Sequence, residues 1–195
     1  MGNRRIGRKR LYGVEKQGQK IDLGSGAGIA PAIARATQHR QGNELITEIL
    51  VDLGCADAAG DIQGGGADKP VGVAGAKASI TQLTQARFGI ITEFRVVCLE
   101  DGGADYDLTV NDTNVNTAAA LSNRVEMVAD IGNDLGEDTS STNSVVIGVD
   151  SGGMQESGNE WYLYLSNVAG NSNTTDIDAG KFAIYIYGYE APADL

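Results

Sequence analysis

Residue types that many catalytic and metal sites require are scarce in this sequence. Its 195 residues include one histidine, two cysteines and three prolines. A single imidazole excludes a multi-histidine metal site within one chain, and the polar neighbours of His39 predict an exposed loop. The spacing of Cys55 and Cys98 fits neither a disulfide framework nor a zinc motif. A reducing compartment is therefore the simplest setting.

Long apolar runs are also missing. No stretch of about eighteen apolar residues occurs, so we expect no membrane-spanning helix. The basic N-terminus is not followed by a continuous apolar segment, so it does not predict a secretory signal. Glycine is abundant instead, at 27 residues. Without a collagen period, that content predicts many tight turns between short strands.

Alternating apolar and polar residues predict β-strands along the chain after residue 40. The clearest is 44–53, with Leu45, Thr47, Ile49, Val51 and Leu53 on one side. Further strands are predicted at 90–99, 106–110, 124–128, 144–149, 160–165 and 181–189, separated by turn-rich clusters. Since no long amphipathic helix lies among them, we predict an all-β fold, an antiparallel β-sandwich with the jelly roll as the expected version.

Strand 90–99 is predicted to place Ile90, Thr92, Phe94, Val96 and Cys98 on its core face. Because Cys98 falls among apolar residues, we expect it to be a small buried side chain.

Two predicted strands are bulky on both faces. Strand 181–189 has Phe182, Ile184 and Ile186 on one side and Ala183, Tyr185, Tyr187 and Tyr189 on the other. The stretch 161–165 is similar. Such strands usually have both faces covered, whereas the core of one sandwich covers only one. We therefore expect the tyrosines to contact either a neighbouring subunit or a segment of the same chain that folds back over them.

Charge divides the chain unevenly. Residues 1–20 carry seven bases against one acid, a net of +6, and the other 175 residues carry eight bases against twenty-five acids, a net of −17. We interpret residues 1–40 as a basic, glycine-rich arm and 41–195 as the sandwich body. Within the arm, 29–36 predicts a short helix with Pro31 in its first turn. The arm suits binding to nucleic acid or docking onto an acidic protein surface, and we expect the second.

The segment 22–28, Asp-Leu-Gly-Ser-Gly-Ala-Gly, resembles the first motif of S-adenosylmethionine-dependent methyltransferases. That resemblance implies that its three glycines line the methionine part of the cofactor and that Glu44 or Glu48 holds the ribose. The further strand–helix units of such a domain are missing from the sequence pattern. We therefore expect a glycine-rich connection, with no cofactor and no catalytic residue, and keep the methyltransferase as an alternative.

The acidic stretch 101–107, Asp-Gly-Gly-Ala-Asp-Tyr-Asp, is the best candidate for a calcium site, because hard cations favour clustered carboxylates on flexible loops. Acidic turns of this kind are more often solvated, and we expect no bound metal.

The basic arm, the glycine-rich segment and the closing strand 180–189 together resemble structural proteins of tailed phages, above all capsid decoration (cement) proteins. The resemblance covers the general plan of the whole chain. It implies a virion protein, made in the host cytoplasm, that binds the outer capsid surface as a homotrimer and bridges subunits of the major capsid protein.

The same resemblance assigns roles to individual residues. The contacts with the capsid would come from Arg4, Arg5, Arg8, Lys9, Arg10 and Tyr12. Sister subunits would pack against Tyr185, Tyr187 and Tyr189. The main alternative is a genome-packaging jelly-roll capsid protein whose arm binds nucleic acid. We expect a protein partner for the arm rather than nucleic acid.

Overall fold

A computed structural model describes residues 18–29, 31–55, 62–63, 68–73, 76, 78–100, 106–117, 119–122, 124–131, 142–146, 161–167, 177 and 179–190. Twelve strands and one short helix lie within these ranges. The strands are β1 (Gln19–Ile21), β2 (Ala34–Gln41), β3 (Glu44–Asp52), β4 (Ile62–Gln63), β5 (Gly72–Val73), β6 (Thr81–Gln82), β7 (Ile90–Glu100), β8 (Tyr106–Asn111), β9 (Arg124–Ile131), β10 (Thr142–Val146), β11 (Tyr162–Asn167) and β12 (Lys181–Tyr189). The helix, α1, spans Gln85–Phe88.

Two antiparallel sheets face each other. The large sheet has the order β1-β2-β3-β12-β7-β10 and the small sheet the order β6-β11-β8-β9, while β4 and β5 form a separate pair. The core lies between the two sheets, where Tyr106 meets Phe182 edge-on with ring centroids 5.6 Å apart. The predicted all-β antiparallel sandwich is therefore confirmed, and the jelly-roll connection stays a prediction.

The alternation predicted for the central strands decides which side chains enter the core. In β3, Leu45, Thr47, Ile49 and Val51 are buried while their neighbours are half-buried. In β12, Phe182, Ile184 and Ile186 are buried in the same core. Each large aliphatic or aromatic side chain removed from water in this way contributes about 1.5–3 kcal/mol. Both predicted core faces are thus confirmed.

Strand β7 departs from strict alternation at two bulges. Thr92 is an extra residue between the positions that pair with Tyr187 and Gly188, so the pattern shifts by one. Ile91 is therefore buried and Ile90 is 42% exposed, and the predicted core positions of Ile90 and Thr92 are wrong. Leu99 is a second extra residue. Between the bulges the prediction holds, since Phe94, Val96 and Cys98 are all buried.

The predicted basic, glycine-rich arm contains two strands among its described residues. A strand begins at Ala34, where a helix over 29–36 was predicted. β2 pairs along its whole length with β3, from Ala34 opposite Val51 to Gln41 opposite Glu44, and β1 pairs with β2. Burial of Ala34 and Ala36 against the core outweighs the helical preference of alanine. The proposed boundary after residue 40 therefore falls inside a strand.

The loop position predicted for His39 is also wrong. His39 lies in β2 and is half-buried, and a Cβ at Gly18 would sit 2.6 Å from its ring. The hairpin that follows turns at Gly42, whose φ of 66° favours glycine. The polar residues around His39 reflect the solvent-facing side and end of a strand rather than a loop.

Candidate interaction surface

The outer surface of β3, β12 and β7 around Tyr185, Tyr187 and Tyr189 forms what we call the tyrosine face. Phe182, Ile184 and Ile186 of β12 point into the core, so the intervening residues point away from it. Tyr185 and Tyr187 are half-buried and Tyr189 is 47% exposed. The sheet therefore presents three tyrosines in one line on its solvent side.

Tyr185 occupies the middle of this face, between two opposite charges. It is the direct partner of Glu48 on β3 and of Arg95 on β7. Its hydroxyl donates a hydrogen bond to Glu48 Oε1 at 3.3 Å. Partial burial, the charge of Glu48 and this hydrogen bond raise the pKa of Tyr185, while Arg95 lowers it. The row Glu48–Tyr185–Arg95 is thus a neutral phenol flanked by one anion and one cation.

The row on one side of Tyr185 is apolar. Ala183 lies between Leu50 and Val97, both half-buried. On the other side of Tyr185, Tyr187 lies between Ile46 and Glu93. The tyrosines therefore have aliphatic neighbours on an accessible surface.

The far end of the tyrosine face carries an exposed apolar pair. Tyr189 is the cross-strand partner of Ile90, and their exposed fractions are 47% and 42%. Two glycines allow the end of β12 to lie close to residues 88 and 89 at this point. A Cβ at Gly188 would lie 2.0 Å from the carbonyl oxygen of Phe88, and one at Gly89 would lie 2.4 Å from that of Tyr189. Exposed apolar side chains that continue an aromatic face are typical of a contact surface.

Ion pairs near the two ends of β12 satisfy the charges there. Arg40 pairs with Glu190 beyond one end, and Lys181 pairs with Glu100 at the other. The hydrogen bond to Glu100 and the nearby acids raise the pKa of Lys181. Such exposed pairs contribute little to stability.

Glu48 and Arg95 differ from these charges. Neither takes part in an ion pair with any side chain that the structure describes. The middle of the tyrosine face therefore carries one anion and one cation that form no ion pair with another described side chain.

In the small sheet, a tyrosine on the outer side is covered by a loop of the same chain. Tyr164 of β11 lies on the outer side of that sheet, yet it is fully buried. Its hydroxyl accepts a hydrogen bond from the amide of Val115 at 2.7 Å and donates one to the carbonyl of Thr113 at 3.1 Å. Burial raises the pKa of Tyr164 to about 12. Here a loop folds back over the strand, which is one of the two expected arrangements.

The glycine-rich segment 22–28 is fastened to the body by hydrogen bonds. The carbonyl of Leu23 accepts from Thr81 Oγ1 at 2.7 Å and from Arg87 Nη1 at 2.8 Å. Ser25 Oγ donates to the carbonyl of Ile80 at 2.6 Å. These bonds run from the segment to residues 80–87, and the next regular element described is β2 rather than a helix. This arrangement differs from the strand–loop–helix of the methyltransferase motif.

The second glycine of the segment has a packing role. A Cβ at Gly26 would lie 2.3 Å from the Cβ of Ala78, and the Gly26 amide donates to the carbonyl of Ser79 at 3.1 Å. The segment borders a cleft of about 650 Å³ with Lys20 and Arg35 at its wall. Close approach to Ala78 and Ser79 therefore explains Gly26, and a φ of 58° favours glycine at position 24.

The acidic stretch 101–107 ends in a buried ion pair. Asp107 is 2% exposed, and Arg124 Nη1 lies 3.5 Å from its Oδ2. Arg124 Nη2 also lies 2.8 Å from Asp68 Oδ1. The other two carboxylates of the calcium candidate, Asp101 and Asp105, fall outside the described residues. Among the described ones, no three His, Cys, Asp or Glu side chains come together as metal ligands would.

The basic cluster of the arm lies outside the described residues. This holds for the six residues to which capsid contacts were assigned, namely Arg4, Arg5, Arg8, Lys9, Arg10 and Tyr12. The chain is described from Gly18, immediately before β1. Since β1 is the edge strand of the large sheet, residue 18 lies at the edge of that sheet.

Comparison with known proteins gives no family for the chain: no protein-family model, curated protein or solved structure matches it. In the ranges that the structure covers, no helix is long and apolar enough to cross a bilayer. Function must therefore be argued from the chain's own residues and fold.

Proposed function

We propose that this protein is a non-enzymatic structural component of a virion. In this proposal it binds the outer surface of a tailed-phage capsid through its basic arm and associates with other copies of itself through the tyrosine face. The observation that carries the proposal is the tyrosine face, an accessible sheet surface with three aligned tyrosines and the exposed pair Tyr189 and Ile90.

The composition of this face favours protein contact. Tyrosine offers a large rigid surface with a polar tip, and it is enriched at the centre of protein interfaces. The face also contains aliphatic residues, beside the charged residues Glu48, Glu93 and Arg95. A surface whose only task is solvation has no need for such a set, and a loop of the same chain covers Tyr164 of the small sheet, whereas the tyrosine face stays accessible.

The charge distribution supports the role of the arm. Residues 1–20 carry a net charge of +6, against −17 for the rest of the chain. Arginine forms bidentate pairs with carboxylates, so a cluster of arginines suits an acidic surface of the major capsid protein. The acidic body would repel other bodies weakly and stay soluble while the arm holds the capsid.

Replacement of the arm's charges tests this proposal. One variant changes Arg4, Arg5, Arg8, Lys9 and Arg10 to glutamine, and a matched control changes the four arginines to lysine. We expect the glutamine variant to lose co-sedimentation with empty expanded phage heads. The lysine control should keep part of the binding, because it retains charge but loses bidentate geometry. Equal binding by all three proteins would contradict the role of the arm.

The genome-packaging alternative rests on the same basic cluster and makes a different prediction. An arm that neutralises phosphates binds DNA with an affinity that falls steeply as salt rises. We expect weak DNA binding by the wild-type protein at physiological salt. Tight, salt-sensitive binding that the glutamine variant loses would favour the alternative.

A further inference from the structure

We infer that the tyrosine face binds the tyrosine face of a second copy of this chain across a two-fold axis that runs along β12. The inference rests on the proposed self-association and gives it a geometry. It concerns the described body of the protein and makes no use of the arm.

The charges beside Tyr185 decide the direction of the axis. Glu48 and Arg95 lie one strand to either side of Tyr185, so their backbones are about 10 Å apart. Half a turn about an axis along β12 exchanges the two flanks. Glu48 then faces Arg95 of the second copy, and Arg95 faces Glu48. An axis across the strands would instead place like charges on each other, which costs free energy.

The two charges are available for this contact. Neither Glu48 nor Arg95 forms an ion pair among the described side chains. The Tyr185 hydroxyl holds the Glu48 carboxylate at the centre of the face. An isologous interface needs a self-complementary patch, and one anion and one cation placed symmetrically about a tyrosine meet that requirement.

The apolar row on one side of Tyr185 tolerates the same arrangement, and in the row on its other side Glu93 would lie opposite Ile46 of the second copy. Leu50, Ala183 and Val97 are apolar across three strands. Two sheets packed face to face cross at about 30°. A residue two positions along the strand from Tyr185 is therefore shifted sideways by about 4 Å relative to the second copy, which is close to one strand spacing. Because all three residues of this row are apolar, each of them still meets an apolar residue after the shift.

The size of the face sets the expected affinity. Three strands about 4.8 Å apart, each nine residues long at about 3.3 Å per residue, give a plan area of roughly 430 Å². Two such faces bury roughly 860 Å², the size of a weak, transient interface. We therefore expect a weak dimer, with a dissociation constant in the upper micromolar range, detectable by sedimentation velocity over a concentration series.

Charge reversal tests the two-fold geometry directly. Glu48→Arg places arginine against Arg95 at two symmetric points, and Arg95→Glu places two carboxylates against each other. We expect each single variant to dimerise at least about tenfold more weakly than the wild type. An equimolar mixture of the two variants should dimerise again, because each mixed pair restores opposite charges at both points. Lys69→Glu, away from the tyrosine face, is the matched control and should dimerise like the wild type.

Four results would overturn the inference: a wild type that stays monomeric up to about millimolar concentration, a trimer as the first associated species, single variants that dimerise normally, or a mixture that does not associate. The trimer implied by the resemblance to decoration proteins would use heterologous contacts, so measured mass separates it from a two-fold pair. Binding to phage heads is scored in a separate assay. Failure here with intact head binding would leave the capsid-binding part of the proposed function standing.

Discussion

Arg87 fastens the glycine-rich segment to the sandwich, and its removal should destabilise the fold. Its Nη1 lies 2.8 Å from the carbonyl of Leu23 and 2.9 Å from Thr81 Oγ1. Hydrogen bonds from a charged donor contribute about 1.5–3 kcal/mol each, and the side chain is half-buried, so the lower figure applies. Arg87→Ala should therefore lower the free energy of unfolding by roughly 3 kcal/mol, a large part of the roughly 5–15 kcal/mol of a typical domain.

Urea denaturation followed by tryptophan fluorescence measures this change, because the single tryptophan, Trp161, packs against the core. Arg87→Lys should lose about half as much, since both bonds are donated by Nη1 and the shorter lysine side chain does not bring its ammonium to that position. Arg35→Ala removes an exposed arginine from the cleft that borders the glycine-rich segment, away from the bonds of Arg87, and is the control. A loss below about 0.5 kcal/mol for Arg87→Ala would refute the fastening role.

Two further predictions concern a glycine and a buried phenol. Gly188→Ala should destabilise the protein more than Gly42→Ala in the same urea assay. The new Cβ at position 188 would lie 2.0 Å from a backbone oxygen, whereas a Cβ at position 42 meets no atom and only the positive φ is strained. The reverse order would contradict the close approach at Phe88. Tyr164 should titrate near pH 12 in a spectrophotometric titration, against 10.0 for a free tyrosine. Because the folded state favours the neutral phenol, the contribution of Tyr164 to stability is present below pH 10.0 and is lost as pH rises through about 12. Two results would contradict the burial of Tyr164: its ionisation together with the other tyrosines, or a titration curve of Tyr164→Phe identical to that of the wild type.

The parts of the fold that depend on local alternation could be predicted from the sequence. All seven predicted strands are present, with ends that differ by up to three residues where both are described. β3 and β12 show why: each is central in the large sheet, so one uninterrupted row of side chains enters the core. Period-two patterning is a direct consequence of that position.

The errors arise where distant residues decide the local structure. The stretch 29–36 has helical propensity, but pairing with β3 makes a strand from Ala34. The bulge at Thr92 lies where Gly188 closely approaches Phe88, a contact between distant residues that no short window of sequence contains. Nothing in 22–28 indicated that Arg87 would hold it, since the two are more than fifty residues apart.

The candidate site was predicted in part. Tyr185, Tyr187 and Tyr189 were placed on the outer side of their strand by alternation alone, and the structure confirms that side. The same alternation puts Glu48 and Arg95 opposite the core-side residues of their strands, but their meeting at Tyr185 requires the register of three strands. The apolar–polar pattern of one strand does not determine its register with strands that are far away in sequence.

Sedimentation of the purified protein with empty expanded phage heads, and separately with DNA, tests the central claim most directly. The account predicts saturable binding to heads that is lost when residues 1–17 are deleted, a deletion that leaves β1 intact. It also predicts little binding to DNA at physiological salt. Binding to DNA without binding to heads would contradict a capsid-stabilising role and assign the basic arm to the genome.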